Sequence, residues 1–149
     1  MRISISNIAW EPNEDERVAS LLRRYGIDAI DIAPGKYFPN LSATTDQDIV
    51  RVRNWWRERG IEITGMQALL FGTSGLNIFG SEESRIATLA RLKEVCRVGA
   101  GLGATRLVFG SPKNRDRSGL TDEETIQIAV EFFRSLGDIA ASFGVIICL

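Results

Sequence analysis

The stretch YGIDAIDIAPGKY, residues 25–37, combines the end of a helix, a strand and a turn. Gly26 closes a helical pattern, and glycine has the conformational freedom that a left-handed helix stop requires. The run after it, in which Ile30 and Ile32 alternate with Asp31, is typical of a strand. The Pro-Gly pair that follows marks a turn. The segment therefore predicts a tight helix-to-strand connection and a strand over residues 27–33.

The same order of signals occurs three more times. A helical pattern ends at Gly60, Gly103 and Gly144, and an apolar, β-rich run follows each glycine at once. The four glycines recur at intervals of about 40 residues, the length of a strand, a loop and a helix. Together with the alternating amino-terminal segment, the pattern predicts five strands, over residues 2–8, 27–33, 61–68, 104–109 and 145–149.

Helix start signals separate these strands. A polar N-cap residue with an acid three positions later is a capping box, which opens a helix. Apolar residues at helical spacing follow three such boxes and one further polar N-cap residue, Ser81. The predicted starts are Asn13 with Glu16, Thr45 with Asp48, Ser81, and Thr121 with Glu124. Strands and helices thus alternate strictly, which predicts parallel strands joined by right-handed crossovers.

Two α/β architectures satisfy this alternation, an open doubly wound sheet and a (β/α)8 barrel. The length of 149 residues favours the open sheet, which five strands complete. The loops favour the barrel, because the segments after the strands are long and polar whereas the helix-to-strand turns are very short. This difference in loop length indicates that the carboxyl ends of the strands carry the functional loops, whereas the amino ends have only short structural turns.

Composition excludes several classes of protein. A net charge of −1, from 18 basic and 19 acidic residues, gives no basic surface for nucleic acid. No segment approaches the ~18 apolar residues of a membrane span, and no export signal is recognisable. Cys96 and Cys148 lack metal or disulfide spacing, which predicts free thiols and a cytoplasmic protein. The chain has no histidine, so any chemistry must use other groups.

Polar residues after the strands are the candidate ligand contacts, because both architectures bind ligands at the carboxyl ends of strands. The segment after the fourth strand suits a phosphate, a carboxylate or a sugar hydroxyl, or it is an ordinary solvated loop. Asp31 lies inside a strand, where a carboxylate needs a partner. It has either an inward-facing site role or a structural ion pair. The donors after the fourth strand are Ser111, Lys113, Asn114, Arg115 and Arg117.

Two motifs are interpreted as packing. GAGLGA, residues 99–104, matches a dinucleotide-binding pattern, but it closes a helix and precedes a strand, whereas a phosphate-binding fingerprint must follow a strand and open a helix. It therefore predicts close helix-to-strand contact. Trp55 and Trp56 are adjacent on a helix, cannot both face inward, and indicate packing against the sheet rather than a cofactor site.

Five phrases of the sequence together resemble the xylose isomerase-like TIM barrels: MRISISNIAW, YGIDAIDIAPGKY, RERGIEITGMQALLFG, GATRLVFGSP and ASFGVIICL. This superfamily includes sugar and sugar-phosphate isomerases and epimerases and the abasic-site endonucleases. The resemblance implies an incomplete parallel (β/α) barrel with five strands and four helices. Residues 1–149 are then expected to be a single domain, the amino-terminal portion of a (β/α)8 barrel truncated after its fifth strand. In the family that strand ends in a Glu, and this chain stops at Leu149.

The resemblance also implies a reaction. The full-length enzyme is expected to hold a ketose or keto-acid on a divalent metal, Mn²⁺ or Mg²⁺, and to transfer a proton through an enediolate with two Glu carboxylates. This chain is expected to contain no catalytic and no metal-binding residue and to be inactive alone. The implied substrate contacts are Trp10 for stacking on a sugar ring, Asp31 and Gln67 for hydrogen bonds, and Lys113, Asn114 and Arg115 for a terminal phosphate or carboxylate.

Two other functions are weighed against this one. Abasic-site endonucleases resembling endonuclease IV use histidines after the third and fourth strands, where this sequence has Gln67 and Ser111. A non-enzymatic open-sheet module would bind an anionic small molecule or a protein partner through the fourth loop.

For the isomerase or epimerase, the expected partners are a sugar or sugar phosphate, without nucleic acid or membrane. The raw edges of an incomplete barrel also predict a homo-oligomer or fragment dimer.

Overall fold

The computed structural model describes residues 2–149 as five strands and five α-helices, with one helix between successive strands except between the second and third strands, where there are two. All neighbouring strands are parallel, as predicted. The strands are β1 (Ser4–Ser6), β2 (Ala29–Ile32), β3 (Glu62–Met66), β4 (Arg106–Val108) and β5 (Ile146–Cys148). The helices are α1 (Asp15–Arg24), α2 (Pro34–Tyr37), α3 (Asp46–Glu58), α4 (Glu82–Leu102) and α5 (Asp122–Ser142).

The order of the strands decides between the two predicted architectures. In space the strands follow their order in the chain, β1-β2-β3-β4-β5. A doubly wound sheet reverses direction at a switch point and has helices on both faces. Consecutive order with right-handed crossovers places the helices on one face, as in a barrel wall. The chain therefore forms an incomplete (β/α) barrel, and the open-sheet alternative is wrong.

The element boundaries differ from prediction mainly near the amino terminus. Thr45, Ser81 and Thr121 accept the predicted capping hydrogen bonds at the starts of α3, α4 and α5. The box predicted at Asn13 is wrong, because a 3₁₀ turn closed by reciprocal Glu11 and Glu14 contacts precedes α1. The single turn of α2 was not predicted. Its Pro-Gly start was predicted to be a turn. Proline is also favoured at the first position of a helix, which Pro34 occupies here.

Glycines bring the helices close to the sheet. A Cβ on Gly99 would lie 2.9 Å from the Leu107 side chain of β4, and one on Gly101 would lie 2.7 Å from Ile49 of α3. Gly103 ends α4 with a φ of 84°, in the left-handed region. These contacts confirm that GAGLGA is a packing motif, because only a hydrogen fits where a side chain would begin.

The tryptophan pair also packs as predicted. Trp56 is 0% exposed in the core between sheet and helices. Trp55 is half-buried, and its ring lies 3.7 Å from the guanidinium carbon of Arg59, a cation–π contact. Both tryptophan side chains therefore make packing contacts within the protein.

None of the helices formed by residues 2–149 is long and apolar enough to cross a membrane.

Candidate functional site

A cavity of about 1060 Å³ opens at the carboxyl ends of β1, β2 and β3. Its inner wall contains Ile8, Ala33 and Ala68, which come just after these three strands. Its outer wall contains Leu76 from the loop after β3 and Arg91 from α4. Small-molecule pockets in proteins have volumes of about 300–1,000 Å³. The cavity is therefore large enough for a ligand, at the edge where barrel enzymes bind theirs.

A second cavity of about 320 Å³ lies at the ends of β3 and β4. Gln67 and Ser111 contribute polar groups to its wall, and Phe109 contributes an aromatic ring. Ala68 and Phe71 line both cavities. The segment after β3 therefore separates two adjoining spaces, and a change in its conformation would alter both.

The backbone at Ala68 is strained. Its φ of 53° is the only positive value among the non-glycine residues that the structure describes. Left-handed backbone costs a residue with a side chain about 1–2 kcal/mol. This bend turns the chain out of β3, and the amide of Phe71 donates to the Ala68 carbonyl at 3.0 Å. The turn leaves the Phe71 ring 83% exposed at the rim of the cavities, where it offers an apolar face to a ligand.

Polar contacts fix the loops after β1 and β2 to each other. The buried Asn7 side-chain oxygen accepts a hydrogen bond from the Ala33 amide at 2.7 Å. The Lys36 ammonium donates to the Trp10 carbonyl and to the Glu11 carboxylate, the latter at 3.1 Å. Lys36 is thereby paired with an acid. It holds the inner wall of the cavity in place and leaves little net charge there.

A buried hydrogen-bond network lies behind this wall. The Asp15 carboxylate accepts from the Trp10 indole at 2.7 Å and from the Tyr37 hydroxyl at 2.8 Å. The Tyr37 oxygen in turn accepts from the Trp56 indole at 3.2 Å. Burial raises the pKa of Asp15 despite these donors. Burial and the neighbouring carboxylate both raise the pKa of Tyr37.

The predicted stacking residue Trp10 belongs to this network. Its side chain is 7% exposed, and its ring makes an edge contact with Trp56 at a centroid distance of 6.2 Å. It lines neither of the two cavities. A sugar-stacking role for Trp10 stays a prediction, which this burial does not favour. The exposed Phe71 is the better-placed aromatic ring.

Asp31 lies on the face of the sheet opposite the helices. Its carboxylate accepts from the Thr64 hydroxyl at 3.1 Å, and this hydroxyl also lies 3.3 Å from that of Ser4. Asp31 forms no ion pair with any residue between 2 and 149, so the described residues do not provide the structural ion pair that was the alternative. It lines neither cavity at the carboxyl end. Its predicted substrate contact remains a prediction.

Asn114 connects the loops after β3 and β4. The residue is 3% exposed, and its side-chain amide donates to the Leu76 carbonyl at 2.6 Å. Its own carbonyl accepts from the Ile78 amide at 3.0 Å. The Asn114 amide is thus already occupied within the protein. This contact supports the outer wall of the larger cavity, because Leu76 belongs to that wall.

The other two residues predicted to contact a terminal phosphate, Lys113 and Arg115, do not converge with Asn114. Lys113 is exposed to solvent. Arg115 is half-buried, with its guanidinium carbon 5.9 Å from the centroid of the Phe109 ring. The three side chains therefore have three different environments, and neither cavity wall includes them. A shared contact with a terminal phosphate remains a prediction. Among the six predicted substrate contacts, Gln67 lines a cavity, and so does Ser111 among the other candidate donors.

Sequence reasoning missed two residues of the cavity walls, Arg91 and Phe71. Arg91 occupies an unremarkable position in a helical pattern, and no local motif distinguishes it. Phe71 belongs to the long segment LLFGTSG, in which a single exposed aromatic residue beside glycines was the available signal. Lys36 was noted among the residues after the second strand, but the ion pair that fixes it was not foreseen.

The described residues do not contain a metal-ligand set. Between residues 2 and 149, no three His, Cys, Asp or Glu side chains come together where they would hold an ion. The expected divalent metal therefore does not fit this part of the chain by itself.

A family comparison agrees with this geometry. A family model described as xylose isomerase-like TIM barrel matches residues 19–149. The chain belongs to this family. No curated protein sequence matches it.

Solved structures show the same fold. A D-psicose 3-epimerase from Clostridium cellulolyticum H10, solved with D-tagatose, has a TM-score of 0.75 at 19% identity, over 100% of this chain and 52% of its own. A 3-keto-D-glucoside 4-epimerase from E. coli has a TM-score of 0.70 at 20% identity, over 99% and 54%. A sugar phosphate isomerase/epimerase from Parabacteroides distasonis has a TM-score of 0.70 at 14% identity, over 98% and 49%. The chain thus spans about half the length of these structures.

Proposed function

We propose that the chain provides the substrate-binding half of a sugar isomerase or epimerase, acting on a ketose or keto-acid that is free or phosphorylated. The observation that carries the proposal is the cavity of about 1060 Å³ at the carboxyl ends of β1–β3. In this fold the carboxyl ends of the strands are the catalytic edge. Solved proteins with the same fold are described as sugar epimerases and isomerases.

The residues of this chain bind and orient the substrate. Phe71 covers an apolar face of the sugar, and Gln67 donates or accepts a hydrogen bond at a hydroxyl or carbonyl. Lys36 and Asn7 keep the loops of the inner wall fixed, so the cavity is formed before the sugar enters. Pre-formed walls reduce the entropy lost on binding.

The proton transfer belongs to groups that residues 2–149 do not supply. Residues 2–149 do not hold a divalent metal by themselves; such a metal would supply Lewis-acid chemistry at the carbonyl oxygen. We propose that the 149-residue chain alone binds sugar without converting it. We also propose a cytoplasmic protein that associates with a second copy of itself. Its partner otherwise is a small molecule rather than nucleic acid or a membrane.

Two measurements on the purified chain test this function. Calorimetric titration with D-fructose or D-tagatose is expected to detect binding, whereas sorbitol, which lacks the carbonyl, should bind more weakly. Gln67→Ala should weaken ketose binding, and Gln127→Ala, at an exposed position of α5, should not. A folded chain that binds no ketose would contradict the proposal.

Exchange of the substrate proton next to the carbonyl tests the proposal that the 149-residue chain alone does not convert the sugar. Incubation with the ketose and Mg²⁺ in D₂O, followed by NMR, should show no more exchange than the buffer alone. Exchange above that background would mean that the chain contains its own acid–base groups, contrary to the proposal.

A further inference from the structure

The larger cavity reaches from the strand ends to the helix layer. Ile8 and Ala33 follow β1 and β2 and lie at its inner end, whereas Arg91 belongs to α4 and lies at its outer end. In a barrel the strands surround the axis and the helices form the outer ring. A ligand in this cavity therefore places one end near the reacting edge and the other end beside Arg91.

Arg91 is a cation without a partner in the part of the chain described. Its Nε is buried and donates no hydrogen bond to any acceptor in residues 2–149. It forms none of the ion pairs found in that range. Burial lowers its pKa, although a guanidinium stays charged at neutral pH. A buried donor without an acceptor is costly, so a bound acceptor would recover free energy.

Two other half-buried arginines pair with acids, whereas Arg53 and Arg115, like Arg91, have a buried Nε without an acceptor among the described residues. Arg59 pairs with Glu16 at 2.7 Å. Arg97 pairs with Glu94 at 3.0 Å, so the acid nearest to Arg91 along α4 is already engaged. Of the three arginines whose buried Nε has no acceptor in residues 2–149, Arg91 is the one in the wall of the larger cavity.

Glu94 attracts Arg91 electrostatically, but its carboxylate is paired with Arg97. The wall of the larger cavity contains two other charged residues, Lys36 and Glu11, whose side chains pair with each other at 3.1 Å. The wall also carries Thr73, whose hydroxyl donates to the Leu70 carbonyl, and Ser74, which is exposed. A net positive charge beside a free hydroxyl suits an anion with several acceptor oxygens.

We propose that Arg91 binds the phosphate group of a phosphorylated sugar at the outer end of this cavity. The guanidinium makes two parallel hydrogen bonds to phosphate oxygens, and Ser74 donates a third. That the ligand is a sugar rests on the function proposed above. The phosphate site itself rests on the cavity and the unpartnered guanidinium.

Inorganic phosphate is the probe for this site. Calorimetric titration of the whole chain at low ionic strength is expected to show binding that Arg91→Gln weakens at least tenfold. Arg57→Gln is the matched control, because it removes the same charge from an exposed position outside the cavity. Circular dichroism of each variant reports whether it is folded. Failure of the wild-type chain to bind phosphate, or equal weakening in both variants, would overturn the proposal.

Chemical modification tests the site in the unaltered protein. Phenylglyoxal modifies accessible arginines, and peptide mapping by mass spectrometry locates them. Phosphate should protect Arg91 and leave Arg57 reactive; equal protection of the two would overturn the proposal. Because neither measurement uses sugar turnover, a failure here leaves the proposed isomerase acting on neutral sugars. Phosphate binding at Arg91 without any ketose binding would instead contradict the proposed function.

Discussion

The Tyr37 hydroxyl donates a hydrogen bond to the Asp15 carboxylate over 2.8 Å and joins α2 to the start of α1. The same hydroxyl accepts from the Trp56 indole of α3 at 3.2 Å. One oxygen atom thus links three helices behind the inner wall of the larger cavity. Its removal should loosen the wall that positions a ligand.

Tyr37→Phe is expected to lower the free energy of unfolding by about 1–3 kcal/mol, the cost of leaving buried polar groups without partners. The Asp15 carboxylate loses a donor and the Trp56 indole loses its acceptor. Urea denaturation followed by fluorescence measures the change. Tyr25→Phe is the control, because Tyr25 is 70% exposed and its loss should change stability by less than about 0.5 kcal/mol. Similar effects of the two variants would show that the network does not stabilise the fold.

Asp15 makes stability depend on pH. Burial raises its pKa, so the folded state favours the protonated carboxyl more than the unfolded state does. The stability contributed by protonated Asp15 is therefore fully present below the ordinary pKa of aspartate and is lost as pH rises through the raised pKa.

Comparison with Asp15→Asn isolates this contribution, because the amide does not titrate. The difference in unfolding free energy, wild type minus variant, should fall as pH rises across the window between the ordinary and the raised pKa. Urea denaturation at a series of pH values measures it. A difference that grows with pH would mean that the donors Trp10 and Tyr37 outweigh burial and lower the pKa instead.

Gly65 leaves space for the Asp31 carboxylate on the inner face of the sheet. A Cβ at this position would lie 2.7 Å from Oδ1 of Asp31 and 3.0 Å from the Arg106 carbonyl of β4. Gly65→Ala is therefore expected to destabilise the fold by about 1–3 kcal/mol through overpacking.

Gly137→Ala is the matched control for this substitution. Gly137 lies within α5, and nothing comes within 4 Å of a Cβ placed there. The alanine should stabilise the helix by about 0.5–1 kcal/mol, because glycine loses more entropy on folding. Thermal unfolding distinguishes the two, with melting temperatures that move in opposite directions. A stable Gly65→Ala protein would show that Asp31 can move at little cost.

The elements of the fold could be predicted because their signals are local. Gly103 ends α4 and Thr121 begins α5 through contacts within a few residues, so a single sequence contains both signals. The strand order is not local. It was correctly chosen through the family resemblance, whereas chain length favoured the wrong architecture.

The site could be predicted only in part, because its contacts join distant segments. The carboxyl ends of the strands were correctly expected to carry the cavities. The burial of Trp10 depends on Asp15 and on a helix that were not foreseen as partners. Arg91 is distinguished by a buried Nε without an acceptor in the wall of the larger cavity, and this feature exists only when the chain is folded.

Apolar side chains at the sheet edges predict association. Among residues 2–149, β1 and β5 are the outer strands of the sheet, and each has a neighbouring strand on one side. Ile3 beside β1 is 51% exposed, Ile146 of β5 is 60% exposed, and Leu149 is 74% exposed. Exposed strand edges with apolar side chains pair readily with another copy. The chain is therefore expected to form dimers or larger assemblies.

Ile146→Lys is expected to shift the purified chain toward the monomer, because a charge on an edge strand opposes pairing. Size-exclusion chromatography with light scattering over a concentration series measures the shift. Ile126→Lys adds the same charge at a site on α5 that is 64% exposed, so it should leave the assembly unchanged. If the two variants dissociate alike, general charge repulsion explains the effect. A monomeric wild type at every concentration would show that the edges do not pair.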